Sequence, residues 1–572
     1  MSEEKFWINE LRKQRKKKNL HLRIQSRRFK YLAVAYMLIF IMLILRLFYI
    51  QVLKSDDFSQ RAVQQRMITI PLSVARGGIY DRNLIPFTDR EVKKVVIAYP
   101  EYIFDKASAV EVISRACGIE PDKVRSRLDT DAGAVEFIST NSSGEQLSVI
   151  ESGRINGVLA VEKKVRYAEK PIAAHVIGFI NKSDKKGQMG LEKSMNSFLA
   201  GAGADSIVAV VDSSKNIIPG LGFRKVDASD NGESYSIKLT LDYYIQAIAE
   251  EVLEKNKING AAVVMDIKNG DILAMASSPE FDQNDLGKYM QNEGSELINK
   301  AVWQFDLGSI FKTVVAAAAL ESGLIDSDAT YICKGSIEIG NSVIKCSTHK
   351  THENVEINMA DAFALSCNTS FVNIGTQIGA ENILKMAEKL GFGQKQCHML
   401  PEEKSGYLPT VLEDGIGNIS IGQGKIQVTP LQVANMMATI ANGGIMHEPR
   451  LVDELVDSEG STVKRMDRTK PTVVLSYRTV TKLREMLAMV TDIGTGMQAN
   501  MDEYGGSSGK TSSAETGIRS GEVVHGWFAG YVPSNNPQYS IAVFVYDGQS
   551  GGKSAAPIFR EIASSILNKY KR

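Results

Sequence analysis

The stretch FDLGSIFKTVVAAAALESG, Phe305 to Gly323, sets a serine and a lysine three residues apart at the head of an apolar run. At spacing i, i+3 on a helix, Ser309 and Lys312 share one face. A serine hydroxyl is a poor nucleophile until a neighbouring base takes its proton. Lys312 is walled by Val314, Val315 and Ala316 to Ala319, and burial disfavours the ammonium form, so a neutral amine is expected there. The pair is a candidate nucleophile and base for acyl transfer. Taken alone, S-x-x-K is better explained as an N-cap serine with a solvent-facing lysine, because short motifs recur by chance.

Two later stretches change that balance. ALSCNTSFVNIG places Ser366 and Asn368 at the head of a second apolar helix. GGSSGKTSSAETG places Lys510, Thr511 and Ser512 after a glycine-rich turn, ahead of the strand-like runs HGWFAGYVP and YSIAVFVYDG. Fifty-four residues separate Lys312 from Ser366, and 142 separate Asn368 from Lys510. S-x-x-K, S-x-N and K-T-G in that order form the signature of penicillin-binding proteins and class A β-lactamases.

Between the first two motifs runs CKGSIEIGNSVIKCSTHKTHENVEI, Cys333 to Ile357. Cys333, Cys346, His349 and His352 are thiolate and imidazole ligands of the kind Zn²⁺ takes. The two-residue gap between the histidines is short for a finger, so Asp306 is a candidate replacement for one of them. The same stretch also admits a Cys333–Cys346 disulfide, which suits an exported protein, or two unpaired thiols. Cys367, inside the second motif, reads as a small buried residue. His525, ahead of Gly526 and Trp527, reads as packing below a strand, because Lys312 already fills the role of base.

These motifs need a scaffold. YSIKLTLDYYIQAIAEEVLEK reads as a strand followed by an amphipathic helix, and GAAVVMDIKNGDILAMAS as a hairpin turning at Lys268-Asn269-Gly270. Helices in the middle and strands at the end predict an α+β domain with an antiparallel sheet flanked by helices. DASDNGES, Asp227 to Ser234, is polar and aperiodic and marks a boundary.

Composition bounds the rest. With 44% hydrophobic and 23% charged residues the chain is globular, and its 572 residues exceed one ordinary domain. Residues 1–30 hold eleven Lys/Arg against three Glu, so the remainder is mildly acidic. That asymmetry argues against nucleic acid as a partner and for a charged anchor at one end. YLAVAYMLIFIMLILRLFYIQVL, Tyr31 to Leu53, has the length of a bilayer-spanning helix, and the basic residues ahead of it predict a cytoplasmic N-terminus. Five cysteines, an odd number, do not close a disulfide framework.

The chain resembles a class B penicillin-binding protein, a membrane-anchored peptidoglycan D,D-transpeptidase, over nearly its whole length. The resemblance runs through RGGIYDRN, AAHVIGF, GLEKSMNSFLAG, VVMDIKNGDILAMASSP and IGQGKIQVTPLQVANMMATIANGG. It implies a basic cytoplasmic tail (1–30), a transmembrane helix (31–53), an elongated α+β pedestal of the dimerisation type (54–230) and a serine β-lactamase/transpeptidase-like domain (231–572). It implies acylation of Ser309 by the penultimate D-Ala of a stem peptide or by a β-lactam, with Lys312 as base and Ser366 as proton relay. Asn368 would hold the donor, and Lys510 and Thr511 would attract its terminal carboxylate. The backbone N–H groups of Ser309 and Ser513 would form the oxyanion hole. The chemistry requires no cofactor, and a polytopic glycan polymerase is the implied membrane partner. Ser512 departs from the usual glycine and is expected to bring its side chain in beside the substrate. FDLGSIF also departs from the usual YEPGSTF. Against this stand a catalytically weak scaffold or β-lactam sensor, disfavoured by the retained Lys312, Ser366 and Lys510, and a β-lactamase, disfavoured by the anchor and pedestal.

Overall fold

The computed structural model describes residues 3–58, 61, 67–130, 135–138, 145–151, 155, 157–181, 184–210, 223–226, 235–290, 295–340, 342–516 and 523–571. The chain divides into two compact units, one of Met1–Leu72, Val95–Val161 and Ser206–Asp227, the other of Ser73–Lys94, Glu162–Asp205 and Ala228–Arg572. The second unit thus takes in two segments, 73–94 and 162–205, from the range assigned to the pedestal by sequence.

In the first unit, Glu3–Phe48 is one helix. Arg28–Leu53, whose most apolar 18 residues have a mean hydropathy of 2.4, is the one span among the described residues long and apolar enough to cross a bilayer. The unit's core holds three neighbouring strand segments, with 95–98 between Val135–Ile138 and 158–161. Helices Lys106–Cys117 and Pro121–Thr130 set Ala109, Ile113, Val124 and Leu128 against Val96, Ala98 and Phe137. Asp105 caps the first of these helices by accepting from the Ser108 amide, and Gly118 ends it in the left-handed region that a Cβ disfavours.

The second unit is built on a five-stranded antiparallel sheet. Its strands are β1 (Gly260–Asp266), β2 (Ile272–Ser278), β3 (Ser508–Glu515), β4 (Val524–Val532) and β5 (Tyr539–Val545). They lie in the order β2-β1-β5-β4-β3, so β2 and β3 are the edges. The expected hairpin joins β1 to β2, with Ile272 opposite Met265 and Ser278 opposite Gly260. Successive residues serve opposite faces. Val264, Ile541 and Val543 pack with α1 (Tyr243–Lys255) and the C-terminal helix Gly551–Lys569. Val263, Met265, Ala542 and Phe544 face a larger core holding α2 (Lys312–Ser322), α3 (Asn368–Ile378) and α4 (Pro430–Ala441). With both faces covered, β1, β2 and β5 read as nearly unbroken apolar runs, whereas β3, SGKTSSAE, is polar along most of its length.

Candidate active site

Ser309 does not sit on the α-helix itself. Gly308–Phe311 form a 3₁₀ turn, and α2 begins at Lys312. In 3₁₀ geometry residues i and i+3 eclipse, which brings Ser309 over Lys312. Gly308 makes the approach at φ +67°, in the left-handed region. Lys312 is fully buried. Its Nζ donates to the carbonyl of Ser366 (2.9 Å) and to Asn368 Oδ1 (2.7 Å), and lies 3.2 Å from both Ser309 Oγ and Ser366 Oγ. Burial lowers its pKa to about 8. A neutral amine has two hydrogens and one lone pair. Ser366 O and Asn368 Oδ1 are pure acceptors and take both hydrogens, so the lone pair is left for a hydroxyl proton.

Ser366 is held at φ +59°, an uncommon conformation for a residue with a side chain. That backbone turn lets its carbonyl and its hydroxyl both face Lys312. On the other side, Lys510 Nζ donates to Ser366 Oγ (3.1 Å) and to the Thr511 carbonyl (3.2 Å). Lys510 is also fully buried, and burial together with the neighbouring Lys312 drives its pKa well below the ordinary range. The two amine nitrogens lie over aromatic faces, Lys312 over Phe371 and Lys510 over Phe363. Sequence reading missed these two rings. Asn368 is anchored separately, donating to the Lys345 carbonyl at 2.9 Å.

The K-T-S strand is β3, an edge strand, with one side open to an added strand. Thr511 Oγ1 pairs with Thr495 Oγ1, and Ser513 is exposed, its Oγ accepting from the Gly551 amide. Ser512 corrects an expectation. Its side chain does not enter the substrate side. It is buried and donates to the Leu307 carbonyl at 2.6 Å. Two residues from Lys510 on a strand, it shares the lysine's inward face. His525 is buried among Phe305, Phe544 and Tyr546, and burial lowers its pKa to about 4, as a packing residue requires.

The cysteine and histidine cluster also differs from the sequence reading. Cys333, Cys346, His352 and Cys367 are buried with their ligand atoms all within 4.8 Å of one another. Cys367 takes the place given to His349, whose side chain lies outside the described residues. Asp306 is elsewhere, its carboxylate facing Gln427. All five cysteines are buried thiols, so Cys333 and Cys346 are not joined. The set fits a tetrahedral Zn²⁺. Bonds of about 2.3 Å to sulfur give a sulfur–sulfur edge of about 3.8 Å, and Cys346 Sγ lies 3.8 Å from Cys367 Sγ and from His352 Nε2. Thr351 Oγ1, 2.9 Å from Nδ1, orients the His352 ring as outer partners of metal-bound imidazoles do. The contact between Cys346 and Cys367 favours one shared thiolate, drawn down at Cys346 and pushed up at Cys367.

Residues 260–564 match the profile of the Penicillin binding protein transpeptidase domain, just over half of the chain. The chain belongs to that family. Residues 71–221 match the Penicillin-binding Protein dimerisation domain, which gives this penicillin-binding protein its class B layout. It is 28% identical to penicillin-binding protein PbpB of Mycolicibacterium smegmatis, covering 94% of this chain and 89% of that one. It is 27% identical to the peptidoglycan D,D-transpeptidase MrdA of Acinetobacter baumannii, over 89% and 84% of the two chains. It is also 27% identical to stage V sporulation protein D of Bacillus subtilis, over 93% and 84%. A crystal structure of penicillin-binding protein 3 from Mycobacterium tuberculosis, complexed with aztreonam, superposes with a TM-score of 0.63 at 25% identity, covering 88% of this chain and 97% of that one.

Proposed function

We propose that the chain is a peptidoglycan D,D-transpeptidase acting through an acyl-enzyme at Ser309, and that β-lactams acylate the same hydroxyl. The observation that carries the reading is Lys312: a buried amine whose two hydrogens are committed to carbonyl oxygens, 3.2 Å from the serine. Ser309 Oγ attacks the penultimate D-Ala carbonyl and its proton passes to Lys312 Nζ. The tetrahedral oxyanion is met by the N–H groups of Ser309 and Ser513, a contribution of about 100-fold or more per donor. As the carbonyl re-forms, the peptide C–N bond breaks. The leaving amine of terminal D-Ala takes a proton from Ser366 Oγ, which is replenished from Lys312. An acceptor amine then attacks the ester, returns its proton by the same relay, and frees Ser309.

Lys510 and Thr511 face the terminal carboxylate, whose charge favours the ammonium form of Lys510. Asn368 holds the donor peptide, which adds to the open edge of β3. The four-residue cluster would hold a structural Zn²⁺ through Cys333, Cys346, His352 and Cys367. Such an ion supplies a closed cross-link with no open position for chemistry. The chain's own part is to fix Cys367, and with it Ser366 and Asn368, on either side of one sulfur. Residues 31–53 anchor the protein with its N-terminus in the cytoplasm and its catalytic unit outside. The anchor and pedestal are where a polytopic glycan polymerase docks. The division into tail, anchor, pedestal (54–230) and catalytic domain (231–572) belongs to the same proposal.

The test is turnover by the full-length chain in detergent, given a stem pentapeptide ending in D-Ala-D-Ala and a labelled amine acceptor. Release of D-Ala matched one for one by labelled product, absent in Ser309→Ala, supports the proposal. Acylation by a penicillin without any D-Ala release from the pentapeptide favours the scaffold or sensor.

A further inference from the structure

Three bonds converge on the backbone just ahead of the nucleophile. The Trp527 indole donates to the Asp306 carbonyl at 3.0 Å. The Ser512 hydroxyl donates to the Leu307 carbonyl at 2.6 Å. The Gly308 amide donates to the Gly422 carbonyl at 2.9 Å. The last two hold opposite ends of one peptide unit, that joining Leu307 to Gly308. The next rotatable residue is Gly308 itself, at φ +67°, the residue type with the most backbone freedom to lose. A Cβ on Gly308 would lie 2.4 Å from Ser512 Oγ, so the hydroxyl fills the space that the glycine leaves. Behind Ser512, β3 is closed as well: a Cβ on Gly551 would come within 2.3 Å of the Ser512 carbonyl. Trp527 and Ser512 are opposite each other across β4 and β3.

We propose that Ser512 is a positioning residue that sets the spacing of the oxyanion hole by latching the Leu307–Gly308 peptide onto β3. The inference rests on the acyl-enzyme reading, in which one oxyanion donor is the Ser309 amide and the other the Ser513 amide. The first belongs to the 3₁₀ turn and the second to β3. Ser512 is the residue before the second donor, and its side chain grips the chain two residues before the first. A hydroxyl there ties the two donors together through a single side chain, without touching substrate. Losing it releases the turn at its glycine and lets the donor spacing wander. Small misplacement of reacting groups is costly in rate and nearly free in ground-state binding.

The experiment measures penicillin acylation of the full-length chain in detergent by rapid quench, separating the dissociation constant of the first complex from the acylation rate constant. Ser512→Gly and Ser512→Ala should each lower the rate constant about 10-fold and leave the dissociation constant within about 2-fold. Ser512→Thr, which keeps the hydroxyl, should restore most of the rate. Wild-type rate constants in both Ser512→Gly and Ser512→Ala overturn the latch and leave the acyl-enzyme reading standing. So does a rate loss that Ser512→Thr shares in full, which marks the loss as strand distortion. No adduct on the wild type overturns the acyl-enzyme reading, and the latch with it.

Discussion

The two edges of the catalytic sheet both bury ionisable groups, to different ends. At the β3 edge, Lys312 and Lys510 converge on one serine hydroxyl, and each polar atom has a partner that could pass it a proton. At the β2 edge, Glu250 and Glu280 line a cleft of about 470 Å³ with Lys257 and Asn259. Burial raises the Glu280 carboxyl to about 7 and Glu250 well above the ordinary range, so Glu250 holds the proton between them. Glu250 also accepts from the Ala173 amide and from Gln246. That is a structural tie, and the Ser277 hydroxyl beside the cleft is itself spent on the Ile298 carbonyl and the Lys300 amide. The lesson is that perturbed protonation marks a functional site only when a reactive group stands within reach of the perturbed one.

The contrast can be broken at several points. The largest expected effect is at Lys312. Lys312→Met should cut penicillin acylation by about 1,000-fold or more while leaving the fold intact, since an uncharged chain replaces a buried amine. Acylation within about 10-fold of wild type would show that the base is elsewhere. Next is the cysteine cluster. One zinc per chain is expected by elemental analysis, and Cys346→Ala should remove it, lower Tm by roughly 5 °C or more and slow acylation about 10-fold. Wild-type Tm and acylation in that variant would make the cluster incidental. The pH profile sharpens the picture. Because the working form of Lys312 is the neutral one, acylation should fall about tenfold per pH unit below about 8 and level off above it. A flat profile from pH 6 to 9 would contradict a lysine base.

The smallest effect is at the other edge. A carboxyl whose pKa is raised on folding binds its proton more tightly in the folded chain. Its stabilising effect is present at low pH and is lost as pH rises from the unfolded value near 4.5 towards about 7. Glu280→Gln should flatten that part of the Tm–pH curve and leave acylation unchanged within about 2-fold. A larger loss of acylation would join the two edges into one site.

Much of the active site was legible because each reactive group sits in a short contiguous motif. Ser309 and Lys312 are one turn apart, and Ser366 and Asn368 flank a single residue. The hairpin at Lys268-Asn269-Gly270 was legible for the same reason, a local turn between two β-rich runs. The fourth ligand was not. Cys367 is fifteen residues past His352, and only the turn that presents Ser366 brings its sulfur to the cluster, so spacing favoured the nearer His349. The direction of Ser512 was missed although strand parity with Lys510 carried it. The partners that fix its meaning, Leu307 and Gly308, are two hundred residues away. The 3₁₀ turn ahead of Lys312 was not legible either, and the Gly308 amide that opens it bonds the Gly422 carbonyl, more than a hundred residues away, a contact that no local pattern announces.

The most direct measurement is intact-mass analysis of the full-length chain after incubation with a penicillin, followed by peptide mapping, with Ser309→Ala alongside. The account predicts one adduct per chain on the wild type, carried by the peptide containing Ser309, and none on the variant. An adduct on another residue, or one that persists in Ser309→Ala, would contradict the claim that the serine beside Lys312 is the nucleophile.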